Sequence, residues 1–346
     1  MDLSLAGILT LDGVTSGAVY ALLALATVLI FAVTRVVFIA LGDFVAYSAL
    51  TLATLQTGRV PGTVWVVLGL ALLAAGLDVM RGVRRRTGAR AIALGVGRLL
   101  AAPVLLVAAT LWLAPLRGSL LLQSLLSLAL VTALGPLLYR VAYEKVADAS
   151  VLVLMIVSVG VHFALTGIAL VLFGAEGFRN PSFWSANFDL GPLQLSGQTV
   201  IIFAVSIALM VALFAFFERS LRGKALRATA VNRYGARLMA ISTEGAGRLS
   251  FGMAAFIAAL SGLLIAPTTT IFYDSGFLIG LKGFVAAIFG GLASYPAAAL
   301  GALLVGVLES FGAFWASSFK EVIVFTLIIP VLLWRSLRDG HQDEEE

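Results

Sequence analysis

Three ionisable side chains lie within or beside long apolar stretches of this sequence: Asp43, Lys282 and Glu309. On insertion scales, a charged side chain at the centre of a membrane helix costs about 2.5–3.5 kcal/mol. Each is therefore expected to face a bundle interior, a partner protein or the membrane interface. We hypothesise that Asp43 or Glu309 lines a solute path near a gate. The structural alternative is that Lys282 extends towards the interface and that Glu309 lies at headgroup depth.

Other reactive chemistry is scarce in the chain. There are no cysteines, which excludes disulfides, thiolate catalysis and Cys-based metal sites. The two histidines, His162 and His341, are too few for a metal cluster, and His162 is predicted to be a hydrogen-bonded packing residue rather than a proton carrier. Gly223-Lys224 lacks both the upstream glycine and the Ser or Thr of a phosphate loop. We therefore predict no catalytic residue, no metal and no bound cofactor.

The composition excludes a water-soluble enzyme. Of 346 residues, 61% are hydrophobic and 12% are charged, and the mean hydropathy is +1.06. Soluble domains are about 45–50% apolar and about 25% charged, so this chain has too few charges to cover a surface in water. The net charge is +5. Because the basic residues lie in the gaps between apolar runs, they indicate membrane orientation rather than nucleic-acid binding.

The apolar runs predict an all-α fold, a polytopic transmembrane helical bundle of about 9–11 spans, because only helices satisfy the backbone of separate spans inside lipid. Two of the runs, 42–57 and 279–294, are short, which is typical of half-helices that line a cavity. The candidate spans are 7–33, 42–57, 61–79, 93–115, 119–142, 151–173, 197–217, 248–272, 279–294, 296–315 and 318–336.

The distribution of basic residues predicts the orientation of the bundle. If the spans alternate, the basic gaps all fall on one side of the membrane. The connection 174–196, in which Arg179 is the only basic residue, falls on the other side. By the positive-inside rule, the N-terminus lies outside and the C-terminus is cytoplasmic. The alternative for arginines 81–90 is a patch that binds anionic headgroups. The basic gaps that share the cytoplasmic side are 80–90, the residues after 142, 218–247 and the C-terminal end.

The cytoplasmic gap 218–247 is too long and too rich in helix formers to be a simple connector. It predicts a short helix over 224–231 and a second over 233–241, with Asn232 ending the first or capping the next. One interpretation is a surface onto which another protein closes, and the other is a basic amphipathic loop on lipid headgroups. The small residues that would keep this surface low are Ala225, Ala228, Gly235 and Ala236.

Two stretches resemble the permeases of branched-chain amino-acid ABC importers. Residues 221–241 resemble the cytoplasmic coupling loop of that family, and residues 280–294 resemble its Gly-rich late segment. Glu309 stands where the family has an acidic residue near the end of the following span. A weaker similarity over 13–26 matches the first span. Altogether the resemblance covers most of 5–60 and 119–338.

The sequence departs from the family pattern in two places. Where the family carries an Asn-Phe-Ala-His-Gly-acid run, this chain reads Phe38-Ile39-Ala40-Leu41-Gly42-Asp43, so Gly42 and Asp43 match while the Asn and His positions are apolar. The region 61–118 is longer than the pattern, by two apparent extra helices. Within 13–26, Gly13 and Gly17 form a small-xxx-small face that predicts helix packing.

The resemblance implies a single permease domain over 1–338, followed by an acidic, disordered tail at 339–346. It implies import of branched-chain or related amino acids into a bacterium across the cytoplasmic (inner) membrane. It also implies a separate ATPase subunit that holds ATP and Mg and docks on 218–247, a second permease subunit and an extracytoplasmic solute-binding protein, all in membrane lipid. The alternatives are a related ABC permease for sugars, urea or short amides, an ion-driven secondary transporter, or a membrane scaffold.

We predict two groups of functional residues. For the docking group, Gly223 and Gly235 are expected to act as hinge-like turns. For the path group, Gly290 and Gly291 permit either close helix contact or an unwound turn beside a cavity. The docking residues are Arg222, Gly223, Arg227, Ala228, Asn232 and Gly235, and the path candidates are Asp43, Lys282, Gly290, Gly291 and Glu309.

Overall fold

The computed structural model describes residues 3–86, 88–116, 118–190, 193–326 and 329–333. These residues are mostly helical, which confirms the predicted all-α bundle, and eight of the helices are long and apolar enough to cross a membrane. The helices are α1 Leu3–Thr34, α2 Leu41–Gln56, α3 Thr63–Arg84, α4 Ala89–Leu113, α5 Leu120–Leu138, α6 Val151–Phe173, α7 Gly197–Arg219, α8 Leu221–Val231, α9 Arg233–Leu238, α10 Thr243–Ile265, α11 Ser275–Phe289, α12 Tyr295–Trp315 and α13 Lys320–Thr326.

Shorter elements complete the described chain. A π-helical turn, Tyr139–Tyr143, continues α5, and 3₁₀ turns at Ala114–Leu116 and Ser317–Phe319 follow α4 and precede α13. Strands β1 Asn187–Leu190 and β2 Leu193–Ser196 pair antiparallel in the connection between α6 and α7. Beyond α13, residues 329–333 are also helical.

The two predicted short spans are indeed short helices. They correspond to α2, with 16 residues, and α11, with 15 residues. Several boundaries differ from the prediction, most of all at α10 and α11. α10 covers Thr243–Ile265 rather than 248–272, because the Ser242 side chain caps its first turn, and α11 covers Ser275–Phe289 rather than 279–294. The last predicted span, 318–336, contains α13 and the helical residues 329–333, whereas 334–346, including the predicted tail, lie outside the described residues. The total of eleven crossings stays a prediction.

Small residues let the helices of the core approach closely. Gly13 and Gly17 of α1 face α12, where a Cβ at Gly13 would lie 2.6 Å from the Val307 Cα and one at Gly17 would lie 2.9 Å from the Leu303 Cα. This confirms the packing role predicted for the two glycines. A second close crossing joins α2 to α11, because a Cβ at Gly280 would lie 2.7 Å from the Gly42 Cα. Two short helices thus meet backbone to backbone inside the bundle.

The basic gaps lie together at one end of the bundle. Arg81 at the end of α3 pairs with Glu144 at 2.5 Å, and Arg237 of α9 pairs with Asp148 at 3.0 Å. These contacts join the connections after α3, α5 and α7. The connection 174–196 lies at the other end, where Phe178 forms a bridge with Ile271 after α10. The grouping predicted for these three gaps is confirmed, whereas the basic C-terminal end lies outside the described residues. The side of the membrane that each end faces stays a prediction.

Candidate functional site

The segment between α7 and α10 folds into α8 and α9, the two short helices predicted there. Asn232 does both things expected of it: α8 ends just before it, and its Oδ1 accepts a hydrogen bond from the Gly235 backbone at 2.8 Å. Ser220 caps α8 in the same way, accepting from the Gly223 backbone at 2.9 Å. Both glycines therefore lie in the first turn of a helix. The prediction that Gly223 and Gly235 are hinge-like turns is wrong, because each is the third residue after a capping side chain.

Gly223 allows α8 to fold back against the end of α7. A Cβ at this position would meet the Phe216 carbonyl group and would lie 2.8 Å from the Phe217 Cα. Three residues further along the same helix face, Leu226 is only 1% exposed and packs against Leu29 of α1. Leu226 was not among the predicted docking residues, although its position three residues after Gly223 indicated that it faces the bundle. The segment is therefore packed onto the transmembrane helices.

The outer face of α8 and α9 remains exposed. The predicted docking residues Arg222, Arg227, Ala228 and Asn232 are all on this face, and Arg227 pairs with Glu218 at 2.5 Å. The same surface presents large apolar side chains, which on a soluble surface mark a protein-binding site. These side chains are Leu221, Val231, Tyr234, Leu238 and Met239, between 73% and 86% exposed.

The end of α7 against which α8 packs also contacts the start of α12, next to the turn between α11 and α12. The Phe217 ring lies 5.6 Å from the ring of Tyr295, the first residue of α12. Just before Tyr295, Gly290 and Gly291 form the unwound turn that was one of their two predicted alternatives; Gly291 has φ +60°. A Cβ at Gly290 would lie 2.8 Å from the Ala298 nitrogen, so the turn also packs against α12. A path-lining role for either glycine stays a prediction.

Lys282 and Glu309 form one buried network. The Lys282 Nζ donates to Glu309 Oε1 at 2.6 Å and to Glu321 Oε1 at 3.2 Å, and the Tyr20 hydroxyl donates to Glu309 Oε2 at 2.7 Å. Lys282 is 5% exposed, so it is paired in the bundle rather than extended to the interface as the structural alternative proposed. The network joins α1, α11, α12 and α13. Glu321, which lies in the last predicted span, was not singled out from the sequence.

Asp43 belongs to a separate pair. The His162 Nδ1 lies 2.9 Å from Asp43 Oδ2 and 3.0 Å from Oδ1, and the Phe277 ring packs on the imidazole at 4.9 Å. His162 is thus a hydrogen-bonded packing residue, as predicted. Asp43 is 2% exposed, so its carboxylate faces the bundle interior, one of the positions expected for it, and its place on a solute path stays a prediction. The structure therefore divides the charged path candidates between two sites, one on α2 and one on α11 and α12.

The chain as a whole matches a known family of membrane proteins. Residues 83–332, well over half of the chain, match the family described as "Branched-chain amino acid transport system / permease component". The chain belongs to this family. The matched range includes α8, α9, the Gly290-Gly291 turn and Glu309, the features on which the resemblance was first argued. The match begins inside α3 and includes α4, and whether 61–118 contains extra helices stays a prediction.

Named relatives agree with this assignment. The permease is 32% identical over 216 residues to the high-affinity branched-chain amino acid transport system permease protein BraD of Pseudomonas aeruginosa, covering 60% of this chain and 70% of BraD. It is 30% identical over 214 residues to the corresponding LivH of Salmonella typhimurium, with the same coverage. It is 28% identical over 213 residues to a probable LivH permease of Methanocaldococcus jannaschii, covering 58% and 65%. No solved structure matches the chain.

The family and the eight apolar helices together establish the class of protein. The permease is a multi-pass protein of the bacterial inner membrane and a transport component rather than an enzyme. The packed α8–α9 segment and the buried charges are candidate functional features, and their roles stay predictions.

The Asp43–His162 pair gives a first testable prediction. Replacing Asp43 by leucine leaves the buried imidazole without its partner, and an unsatisfied buried polar group costs about 1–3 kcal/mol. We expect Asp43→Leu to lower the thermal unfolding midpoint and the double variant Asp43→Leu/His162→Leu to recover most of it. Transport per folded molecule separates the two roles of Asp43: a stable double variant that transports normally supports the structural role. A stable double variant that does not transport would support a role for Asp43 in the solute path.

Proposed function

We propose that this permease is the membrane-spanning subunit of an ABC importer for branched-chain amino acids, driven by a separate ATPase subunit that docks on α8 and α9. Its relatives BraD and LivH are described as branched-chain amino acid permeases, which supports the substrate class. An ATPase chain would hold ATP and Mg, a second permease would complete the pore, and a solute-binding protein would deliver the amino acid. The ATPase and the rest of the assembly are proposed from the family alone.

The docking site is proposed from one observation: α8 is buried on one face and exposed on the other. Its inner face packs Gly223 against α7 and Leu226 against α1, while its outer face leaves Leu221 and Tyr234 of α9 more than 70% exposed. A rigid helix pair with both properties transmits a push from a partner to the membrane helices. Closure of the ATPase pair would shift the population between inward-open and outward-open packings by moving this segment.

The contact from α8 to α12 supports this route. Phe217 of α7 contacts Gly223 of α8 and also the Tyr295 ring of α12. A displacement of α8 therefore reaches the turn between α11 and α12 through Phe217. α11 carries Lys282 and α12 carries Glu309, which hold the two helices to each other. The Tyr20 hydroxyl ties α1 to the same network, so the proposed motion is a joint displacement of α1, α11 and α12.

Co-purification and uptake test the proposal together. We expect an ATPase subunit to co-purify with the permease, and we expect membranes containing the full importer to take up radiolabelled leucine only when ATP is present. Tyr234→Asp combined with Leu238→Asp places two charges on the exposed docking face without touching the packed face, so it should release the ATPase and abolish uptake. Thr57→Asp, an added charge at the exposed turn after α2, is the matched control.

Several outcomes would contradict the proposal. Uptake that needs an ion gradient and no ATPase would indicate a secondary transporter. ATP-driven uptake of a sugar or a short amide, without leucine, would support the alternative substrate class. Retention of the ATPase by the Tyr234→Asp/Leu238→Asp variant would place the docking surface elsewhere.

A further inference from the structure

A polar cavity of about 580 Å³ lies at the end of the bundle opposite α8. Its walls come from α1, the connection 174–196, the start of α7 and the residues that follow α10. The volume is in the range of about 300–1,000 Å³ that is typical of small-molecule sites. Two of its lining residues carry opposite charges, Asp12 on α1 and Arg179 on the connection, and both are exposed at the protein surface.

One face of α1 runs from the mouth of the cavity into its floor. The lining residues of α1 are Asp12, Thr15, Ser16 and Val19, which have the spacing of a single helix face. Asp12 is exposed and Val19 is 1% exposed, and their separation of seven positions spans about 10 Å of helix. The α1 wall of the cavity is therefore charged at the mouth, hydroxylic in the middle and apolar at the bottom.

Buried aliphatic side chains from two other helices complete the floor. Ile202 of α7 is 1% exposed and Ile265 of α10 is 6% exposed, and both line the cavity together with Val19. The floor thus offers branched aliphatic side chains from three helices. These side chains accept an aliphatic group of similar size, while the buried polar side chains of Asn180 and Gln198, 5% and 4% exposed, line the cavity beside them.

The charges at the mouth are available to a ligand. The Arg179 Nε donates to the Pro267 carbonyl at 2.9 Å, which holds the side chain in place, while within the described ranges no acidic group forms an ion pair with Arg179 and no basic group forms one with Asp12. Next to Arg179, Asn180 is 5% exposed, and its Oδ1 is buried with no hydrogen-bond partner among the described residues. A carboxylate acceptor, a guanidinium donor and a spare amide oxygen thus surround one cavity.

We propose that this cavity binds a zwitterionic amino acid with an aliphatic side chain. The substrate ammonium group would pair with Asp12, its carboxylate with Arg179, and its side chain would pack against Val19, Ile202 and Ile265. This inference rests on the proposed function and assigns a first binding site within it. Charge-assisted hydrogen bonds to both the ammonium group and the carboxylate, together with the aliphatic side chains of the floor, would select an α-amino acid over an amine or a carboxylic acid alone.

The absence of cysteine from the chain allows a direct test. In proteoliposomes that contain the complete importer, Ser16→Cys introduces a single thiol in this subunit's cavity, which is labelled with a membrane-impermeant maleimide. We expect leucine at ten times its dissociation constant to slow labelling about tenfold, because protection follows the bound fraction. Leucinamide, which lacks the carboxylate, should protect much less. Thr57→Cys, at an exposed turn of the same end, should be labelled equally with and without leucine.

A charge substitution makes the test specific. Adding Arg179→Gln to the Ser16→Cys permease should remove the protection by leucine and abolish the difference between leucine and leucinamide. Arg59→Gln, an exposed arginine after α2, is the matched control and should leave the protection unchanged. Because Arg179 also donates to the Pro267 carbonyl, Arg179→Lys, which keeps the positive charge without the Nε donor, separates the two roles and should retain most of the protection by leucine.

The outcomes for the cavity and for the proposed function are separable. Normal leucine uptake by the Ser16→Cys importer without protection of the thiol overturns the cavity assignment and leaves the importer function in place. Protection that depends on the solute-binding protein, whether or not leucine is bound, shows that the cavity contacts that protein and also overturns the assignment. Failure of the unmodified importer to take up leucine counts against the proposed function itself.

Discussion

Replacement of Lys282 by methionine should destabilise the permease more than loss of any other single charge. The buried ammonium group pairs with two carboxylates, Glu309 at 2.6 Å and the partly exposed Glu321 at 3.2 Å. Removing one partner from a buried ion pair costs about 3–5 kcal/mol, because the remaining charge is left uncompensated. We expect Lys282→Met to reduce sharply the yield of monodisperse protein and to lower its thermal unfolding midpoint in detergent or nanodiscs.

Two controls separate the charge network from a general effect of the substitution. Lys145→Met removes an exposed lysine in the connection after α5 and should leave yield and unfolding midpoint unchanged. The triple variant Lys282→Met/Glu309→Gln/Glu321→Gln removes all three charges, keeps an acceptor for the Tyr20 hydroxyl and should restore much of the lost stability. An Lys282→Met permease with wild-type yield and midpoint would show that the carboxylates do not depend on this lysine.

Uptake should be lost in the Gly223→Ala variant, although the membrane bundle folds normally. A methyl group at this position meets the Phe216 carbonyl group and the Phe217 Cα of α7. Helix α8 must therefore move away, which withdraws Leu226 from its contact with Leu29 of α1. Coupling between sites is typically worth about 1–3 kcal/mol, or about 5–150-fold in equilibrium terms. We therefore expect leucine uptake and the stimulation of ATPase activity by loaded binding protein to fall by at least about tenfold.

The matched control is Gly235→Ala, at the equivalent position of α9. A Cβ there meets only the flexible Asn232 side chain, at 3.2 Å, and alanine is favoured over glycine within a helix by about 1 kcal/mol. Gly235→Ala should keep wild-type uptake, and both variants should show wild-type thermal unfolding of the membrane region. Equal uptake by the two variants would show that the packing of α8 against α7 does not couple the ATPase to transport.

The ends of α8, α9 and α10 could be predicted because they depend on neighbours in sequence. Ser220, Asn232 and Ser242 each cap a helix, accepting a hydrogen bond from the backbone of a glycine three residues later. A cap followed three residues later by glycine was therefore the local signal that marks three successive helix starts. The interpretation of Gly223 and Gly235 as turns missed this signal, because the helical position follows from the cap and not from the glycine.

The sequence alone determined the protein's class, the approximate position of most helices and which of the described basic loops share an end of the bundle. Apolar run length and the placement of arginines are local properties, and in lipid they leave the backbone no choice but helices. Only the tertiary structure decided which charges are partners. Asp43 meets His162, 119 residues away, and Lys282 lies between Glu309 and Glu321. Side-chain pairing across helices depends on their rotation and depth, which composition does not specify, so the network and the Asp12–Arg179 cavity emerged only when the helices were packed.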